Sequence, residues 1–327
     1  MTRPKIVVTR RIPENGIELL KRYFTVDLNK SDKDLSQDRL TKRLDGAFGV
    51  VAMMANKFDS ETLDDLQTVR VISNFAVGFN NVDVSAATKK GIVVTNTPGV
   101  LTDATADMTI GLMLATARRI AEGDRLVRAG KFRGWTPTYM LGQEVSGKTI
   151  GIVGAGRIGT AVARRSIGFG MKVLYHSRGH KTEIDSIGGS LVSLEKLLAA
   201  CDFVSVNVAL NDQTFGLIGR KELALMKPAA ILINTARGEV VDEIALISAL
   251  KRKKIAGAGL DVFVNEPKIN PEFMKLDNVV LVPHLGSATF ETRAKMSEMV
   301  AMNAIAVLKG ERPPGILNPE LLEKSKV

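Results

Sequence analysis

Thr149-Ile150-Gly151-Ile152-Val153-Gly154-Ala155-Gly156-Arg157-Ile158-Gly159 is the stretch on which the fold turns. An apolar run of strand character leads straight into a G-x-G-x-x-G motif. The helical pattern Ile158, Ala161, Val162 opens on the motif's last residues. Glycines in that spacing are weak alone and informative between a strand and a helix. The first makes the tight turn, the second lets the backbone approach a pyrophosphate, and the third allows close packing of helix on strand. The helix N-terminus adds free amides and partial positive charge. Gly154, Gly156 and Gly159, with Arg157 and Ile158, are therefore candidate dinucleotide-binding residues.

Outward from this motif the chain alternates short β-branched runs with amphipathic segments, the pattern of a parallel α/β protein. Strands are predicted at 149–154, 172–176, 203–207, 230–234, 256–261 and 279–282, matching the strand count of a complete dinucleotide fold. Towards the N-terminus, strands are predicted at 5–9, 47–52, 71–75 and 92–95, and helices at 14–23, 36–43, 60–66 and 83–89. Pro98-Gly99 breaks the alternation. A long helix is predicted over 102–121, capped by Thr102 or Asp103. Its middle, Met108 to Ala117, is uncharged and mostly apolar, as in helices buried in a core or against a second subunit. The segment 123–147 is mixed and holds the one tryptophan, Trp135. A last helix is predicted from near Ser287 to Leu308. The tail from Glu311 carries Pro313, Pro314 and Pro319 and is expected to be mostly non-helical.

The 148–286 region reads as a complete unit, so the C-terminal helix is expected to pack on the N-terminal region. The expected domains are 1–99 with 287–327, and 100–286, the latter including an association segment at about 100–147. Two chain crossings, near 98–101 and 286–290, would be hinges around an interdomain cleft.

Composition agrees. At about 150 residues per domain, 327 residues make two domains. The 45% apolar and 24% charged content excludes disorder, collagen and coiled coil. The net charge of +10 is spread along the chain without a nucleic-acid-binding motif, so no nucleic acid partner is expected. One cysteine, Cys201, excludes a disulfide framework, zinc-type spacings are absent, and no metal-ligand cluster is visible. Cys201 itself is expected as a buried, inert thiol in an apolar strand. Ile6-Val7-Val8 before Arg10 and Arg11 is too short for a signal-peptide core. No run approaches the ~20 apolar residues of a membrane helix, so a cytoplasmic protein is expected.

Four further positions suggest chemistry. In a dinucleotide fold the second strand ends near an acid that binds the adenosine 2′-hydroxyl. Here Val173-Leu174-Tyr175-His176 is followed by Ser177 and Arg178, with no carboxylate until Glu183. An acid would repel a 2′-phosphate, whereas serine and arginine bind one with charge-assisted hydrogen bonds. NADPH/NADP is therefore favoured over NADH/NAD, unless Arg178 and Lys181 are only solvated loop charges. Arg237, Glu266 and His284 each follow the carboxyl end of a predicted strand, where open α/β sheets place ligands. A histidine and a glutamate can form an acid–base pair, and an arginine can grip a carboxylate.

At these residues the sequence resembles the D-isomer-specific 2-hydroxyacid dehydrogenases over nearly its whole length. Val77-Gly78-Phe79-Asn80-Asn81-Val82-Asp83 is similar to the family's substrate loop, and Leu101 to Asp107 to the start of its dimer-forming helix. The glycine motif, Asn234 to Asp242, Gly259 to Phe263, and Pro283-His284-Leu285-Gly286-Ser287 follow in family order. The resemblance implies a Rossmann-type doubly wound domain plus a smaller flavodoxin-like substrate domain, in a homodimer. It implies that His284 donates a proton to the substrate carbonyl, that Glu266 holds His284 protonated, and that Arg237 binds the 2-keto acid. The amides of Val77 and Gly78 would hold the other side of its carboxylate. Asp261 would orient the nicotinamide amide and Thr105 would lie beside the ring. Val208, Thr214, Thr235, Ala236 and Gly286 would complete the cofactor groove.

The basic turn, Trp135 and Leu141-Gly142 look most like glyoxylate/hydroxypyruvate reductases and 2-ketogluconate reductases. The implied activity is NADPH-dependent reduction of glyoxylate or hydroxypyruvate. Its alternatives are 2-ketogluconate reduction and a non-catalytic dinucleotide-binding regulator. Asn80, Asn207 and Ala209 depart from the family pattern, with small effects expected on cofactor geometry. Met53 and Met54 either face the cleft or pack in the core, and Trp135 either reaches a partner's site or packs within the chain. The end at Val327 argues against the long, allosteric phosphoglycerate dehydrogenases.

Overall fold

The computed structural model describes residues 3–323. They form two compact units: unit 1 runs up to Leu101 and resumes at Ala288, and unit 2 is Thr102–Ser287.

Unit 1 begins with β1 (Lys5–Val8), α1 (Glu14–Lys21), β2 (Thr25–Leu28), α2 (Gln37–Leu44) and β3 (Gly49–Ala52). It continues through α3 (Ser60–Asp64), β4 (Val71–Asn74), α4 (Val84–Lys89) and β5 (Val93–Thr95). All neighbours are parallel, in the order β2-β1-β3-β4-β5, which is the flavodoxin-like order. Both faces of β3 and β4 are buried, as parallel sheets require. Asp59 and Asp83 cap α3 and α4, accepting from Thr62 N at 3.0 Å and Ala86 N at 2.8 Å. The sequence pattern predicts four strands here, and β2 is the correction. It is an edge strand with Thr25 exposed and Asp27 paired to Arg43 of α2, so it lacks a buried apolar run.

Unit 2 opens with α5 (Thr102–Ala117) and α6 (Ile120–Arg128). It continues with β6 (Thr149–Val153), α7 (Arg157–Ile167), β7 (Lys172–His176), α8 (Thr182–Asp185) and β8 (Ser190–Leu191). Then follow α9 (Leu194–Ala200), β9 (Phe203–Val206), α10 (Arg220–Leu225), β10 (Ile231–Asn234), α11 (Glu243–Lys251), β11 (Gly257–Leu260) and β12 (Val279–Leu281). The seven-stranded parallel sheet has the order β12-β11-β10-β9-β6-β7-β8. Counted from β6 this is the doubly wound dinucleotide order with one strand added beyond β11.

Four expectations change in unit 2. The sheet has seven strands, not six, because β8 is a two-residue edge strand after Gly188-Gly189. The helix predicted over 102–121 stops at Ala117: Arg119 is left-handed (φ 54°), and the Ala117 carbonyl accepts from Gln143 N at 2.7 Å. Asp103 carries its carboxylate to Arg165 of α7 at 3.0 Å. Cys201 is buried but stands between α9 and β9, not in a strand, and burial pushes its thiol up to about 12.

The chain then returns to unit 1 as α12 (Phe290–Leu308) and the short α13 (Glu320–Glu323). The helix predicted from Ser287 starts at Phe290, because the Thr289 side chain caps it by accepting from Thr292 N at 3.1 Å. Val300, Ala301, Ala304 and Ile305 join Ile6, Val8, Ile17 and Leu20 in one core. Gly16 makes the approach to α12 possible, since a Cβ there would lie 2.2 Å from the Ser297 carbonyl oxygen. Among the described residues no helix is long and apolar enough to cross a membrane.

Candidate active site

In unit 2 the order of strand addition reverses at β6, with β9 on one side and β7 on the other. Ligands of doubly wound sheets bind at such a switch point. The glycine motif sits there, and its three glycines differ. Gly154 has φ 95°, and a Cβ on it would meet Val208 Cγ1 at 2.6 Å. A Cβ on Gly159 would lie 2.1 Å from the Gly154 carbonyl oxygen, so this residue sets how closely α7 packs on the loop. A Cβ on Gly156 would meet nothing within 4 Å. Protein packing therefore explains the first and third glycines, while the second faces open space that a ligand backbone can enter. Gly156 caps α7 without a side-chain hydrogen bond, and the first turn carries no acid. Its free amides and the exposed Arg157 suit a pyrophosphate. Ile158 is half-buried against the core.

Beyond β7, Gly154 N donates to His176 O at 3.0 Å, placing the next turn beside the glycine loop. Ser177 Oγ donates to Gly179 O, and Arg178 is exposed. The acid that the fold brings under this turn is Asp185. It accepts from Tyr175 Oη at 2.6 Å and lies 3.1 Å from His180 Nδ1. The Tyr175 hydrogen bond, with help from His180, holds its carboxyl below the ordinary range. Lys181 N donates to the same tyrosine oxygen at 2.9 Å. The carboxylate is thus committed to supporting the turn that carries Ser177 and Arg178.

Past β9, Val208 covers Gly154. Asn207 N donates to Val153 O at 2.7 Å, and its side-chain amide donates to Ser205. Thr214 Oγ1 donates to Ala209 O at 2.6 Å and accepts from Asn211 N at 2.9 Å, closing the loop after the strand.

The three candidate catalytic side chains follow β10, β11 and β12. Asn234 ends β10 and is buried. Its Oδ1 accepts from Ala236 N at 3.0 Å and its Nδ2 donates to Arg237 O at 2.8 Å, which folds the chain back to present Arg237. Arg237 Nη1 donates to Ala236 O at 2.6 Å. Burial pulls its guanidinium below the usual range, while the charges of Glu266 and Glu239 oppose this. Glu266 follows the left-handed Asn265, and its peptide bond to Pro267 is cis. Its Oε1 accepts from Phe263 N at 2.9 Å, and its Oε2 lies 2.8 Å from His284 Nδ1. Burial alone would raise this carboxyl. The His284 hydrogen bond and charge, the Phe263 amide and the Arg237 charge outweigh it, so the carboxyl titrates below its ordinary value.

His284 itself is left-handed, with φ 53°. Its amide donates to the carbonyls of Asp261 at 2.9 Å and Val282 at 3.1 Å. The buried Asp261 carboxylate accepts from Leu285 N and, at 2.8 Å, from Gly286 N. Burial pushes that carboxyl up against the pull of these amides and of His284. Thr105 Oγ1 donates to Gly286 O at 3.2 Å, and the Thr109 and Thr235 hydroxyls lie 2.8 Å apart. Glu266 fixes one ring nitrogen of the half-exposed His284, leaving Nε2 for a substrate.

Unit 2 thus assembles Arg237, Glu266, His284 and Asp261 at one edge of its sheet. Val77 and Gly78 lie in unit 1, on the loop after β4. Met53 packs against a unit 1 core cluster. Trp135 is 80% exposed, so it is no core residue of this chain. Asn234 and Asp185 brace the turns that carry candidate site residues, and the sequence pattern did not single them out. An asparagine at a strand end that bonds its own backbone two residues on is the signal for the first. Nothing local marks the second. Among the described residues no group of three or more metal-ligating side chains comes together.

The family model for the NAD binding domain of the D-isomer specific 2-hydroxyacid dehydrogenases matches residues 110–286. The chain is 50% identical to a glyoxylate reductase of Thermococcus litoralis, over 99% of each chain. It is 47% identical to one of Pyrococcus furiosus, over 99% of this chain and 98% of that one. Among solved structures, an NADPH-dependent glyoxylate/hydroxypyruvate reductase of Sinorhizobium meliloti, in complex with NADP and malonate, aligns with a TM-score of 0.87. It is 34% identical, over 97% of each chain. On the matched domain and the full-length identity together, the chain belongs to the D-isomer specific 2-hydroxyacid dehydrogenases.

Proposed function

We propose that this enzyme reduces small 2-keto acids, glyoxylate and hydroxypyruvate foremost, to 2-hydroxy acids with NADPH. The observation that carries the reading is the Glu266–His284 contact of 2.8 Å on the unit that also presents the half-buried Arg237. A 2-keto acid offers a carboxylate and a carbonyl, and its reduction leaves negative charge on the carbonyl oxygen. Protonated His284 donates from Nε2 to that oxygen, and Glu266 balances the ring's charge and fixes its orientation. Arg237 binds the acid's oxygens with charge-assisted hydrogen bonds and stabilises the developing charge. When bound, the nicotinamide cofactor supplies the hydride. Gly154, Gly156, Gly159, Arg157 and Ile158 would hold its pyrophosphate, and Thr105, Val208, Thr214, Thr235, Ala236, Asp261 and Gly286 would line its groove.

Ser177 and Arg178 support NADPH as the preferred form. With Asp185 turned to Tyr175 and His180, the turn offers a 2′-phosphate the Arg178 guanidinium without a facing carboxylate, and the Ser177 hydroxyl would bind it in exchange for its hydrogen bond to the Gly179 carbonyl. The homodimer is proposed on the exposed apolar side chains Ile120, Val127, Phe132, Trp135 and Leu141, which are 55–80% accessible along one stretch of unit 2.

The test is the initial rate of NADPH or NADH oxidation with glyoxylate, hydroxypyruvate and 2-ketogluconate. Fast NADPH oxidation with either small acid is expected. Turnover only with 2-ketogluconate would move the substrate class, faster NADH oxidation would remove the cofactor preference, and no turnover with any pair would overturn the reading.

A further inference from the structure

Three consecutive carbonyl oxygens on the loop after β4 are held from one side. Ala76 O accepts from Thr97 N at 2.9 Å, Val77 O from Asn96 Nδ2 at 2.8 Å and Gly78 O from Asn74 Nδ2 at 2.8 Å. In a trans peptide the carbonyl and the following N–H point in opposite directions. Fixing these carbonyls therefore turns the amides of Val77, Gly78 and Phe79 the other way. None of the three amides has an acceptor among the described residues. Exposure rises along the same run, from buried Ala76 through half-buried Val77 and Gly78 to exposed Phe79.

The holding groups are buried and braced in turn. Asn74, Asn96 and Thr97 are at most 6% exposed. Asn74 and Asn81 exchange side-chain amide hydrogen bonds at 3.2 Å in both directions, and Asn81 Nδ2 also donates to the carbonyls of Met53 and Asn56. Asn96 O accepts from Asn303 Nδ2 of α12 at 3.0 Å, and Asn96 N donates to Gly315 O at 2.9 Å. The Asn74, Asn81 and Asn96 side-chain amides and the Thr97 backbone amide are all engaged, while the Thr97 hydroxyl has no partner among the described residues. A buried network so engaged rigidifies the backbone it holds. Here it fixes a row of outward amides, the arrangement that binds anions.

We propose that Asn74 and Asn96 are positioning residues for the substrate carboxylate: they aim the amides of Val77, Gly78 and Phe79 at it. The inference rests on the 2-keto acid reading and deepens it, adding Phe79 N–H as a donor and giving the two asparagines a task in substrate binding.

The test uses the whole enzyme and two probes, glyoxylate and glyoxylamide, in which a neutral amide replaces the carboxylate. Asn96→Leu and Asn74→Leu each remove one carbonyl clamp at similar volume without adding charge. Asn96→Thr, too short to reach Val77 O, replaces a leucine variant that does not fold. The expected result is a KM for glyoxylate raised about 10-fold or more, as for lost hydrogen bonds to a charged group. The glyoxylate-over-glyoxylamide ratio of kcat/KM falls by a similar factor, and the NADPH Kd stays unchanged. An unmoved KM and ratio, or equal losses with both probes, would overturn the proposal. A wild-type enzyme that turns over neither probe would instead take down the functional reading, and this inference with it.

Discussion

Glu266 engages Nδ1 of His284 and leaves Nε2 for the proposed proton transfer. Replacing His284 with alanine is expected to lower turnover by about 10²–10⁴-fold, the range of a positioned general acid, with little change in NADPH affinity. Turnover near the wild-type level would remove His284 from the mechanism. Glu266 has a pH signature of its own. Its carboxyl titrates below the ordinary 4.5, so its contribution to stability is fully present above that pH and is lost as pH falls through the lower folded value. Between pH 6 and 3 the thermal midpoint of the wild type should therefore fall more steeply than that of Glu266→Gln; parallel curves would contradict this. Arg178→Ala should weaken NADPH binding by about 10-fold or more, the scale of a charge-assisted hydrogen bond, and NADH binding far less. Equal weakening of both would show that the side chain does not read the 2′-phosphate.

The end of α5 shows how an element boundary can depend on a distant segment. Gln143 N occupies the Ala117 carbonyl, and a Cβ on Gly142 would lie 2.4 Å from that same oxygen. Gly142→Ala should therefore cost about 1–3 kcal/mol, as overpacked substitutions do, readable in a denaturant titration; an unchanged midpoint would mean the loop moves freely. Nothing between Met108 and Arg119 announces this stop, so the sequence pattern runs the helix on to 121. The central strands were legible because burial on both faces demands β-branched runs such as Ile231–Ile233. Edge strands β2 and β8 lack that demand and left no comparable signal. In the site, residue types past strand ends could be read along the chain. The supports could not, since Asn234, Asp185 and the Asp261 hold on Leu285 and Gly286 exist only once strands and loops are assembled.

At the scale of the whole molecule, the segment 120–141 leaves the apolar side chains of Ile120, Val127, Phe132, Trp135 and Leu141 to solvent. Light scattering should return twice the chain mass, and Trp135→Glu combined with Leu141→Glu should shift it towards the monomer. A wild-type monomer at micromolar concentration would sink the dimer. Unit 1 is discontinuous: its sheet comes from residues before Leu101, and the helix that covers one face comes from residues after Ala288. Domains generally fold in the order in which the ribosome delivers them. This chain inverts that order. Every strand of the second unit has left the tunnel while Ile6, Val8, Ile17 and Leu20 still lack Val300, Ala301, Ala304 and Ile305. The nascent N-terminal part of unit 1 must therefore wait with an uncovered apolar face until nearly the end of translation, and that interval is when a chaperone has most to offer it.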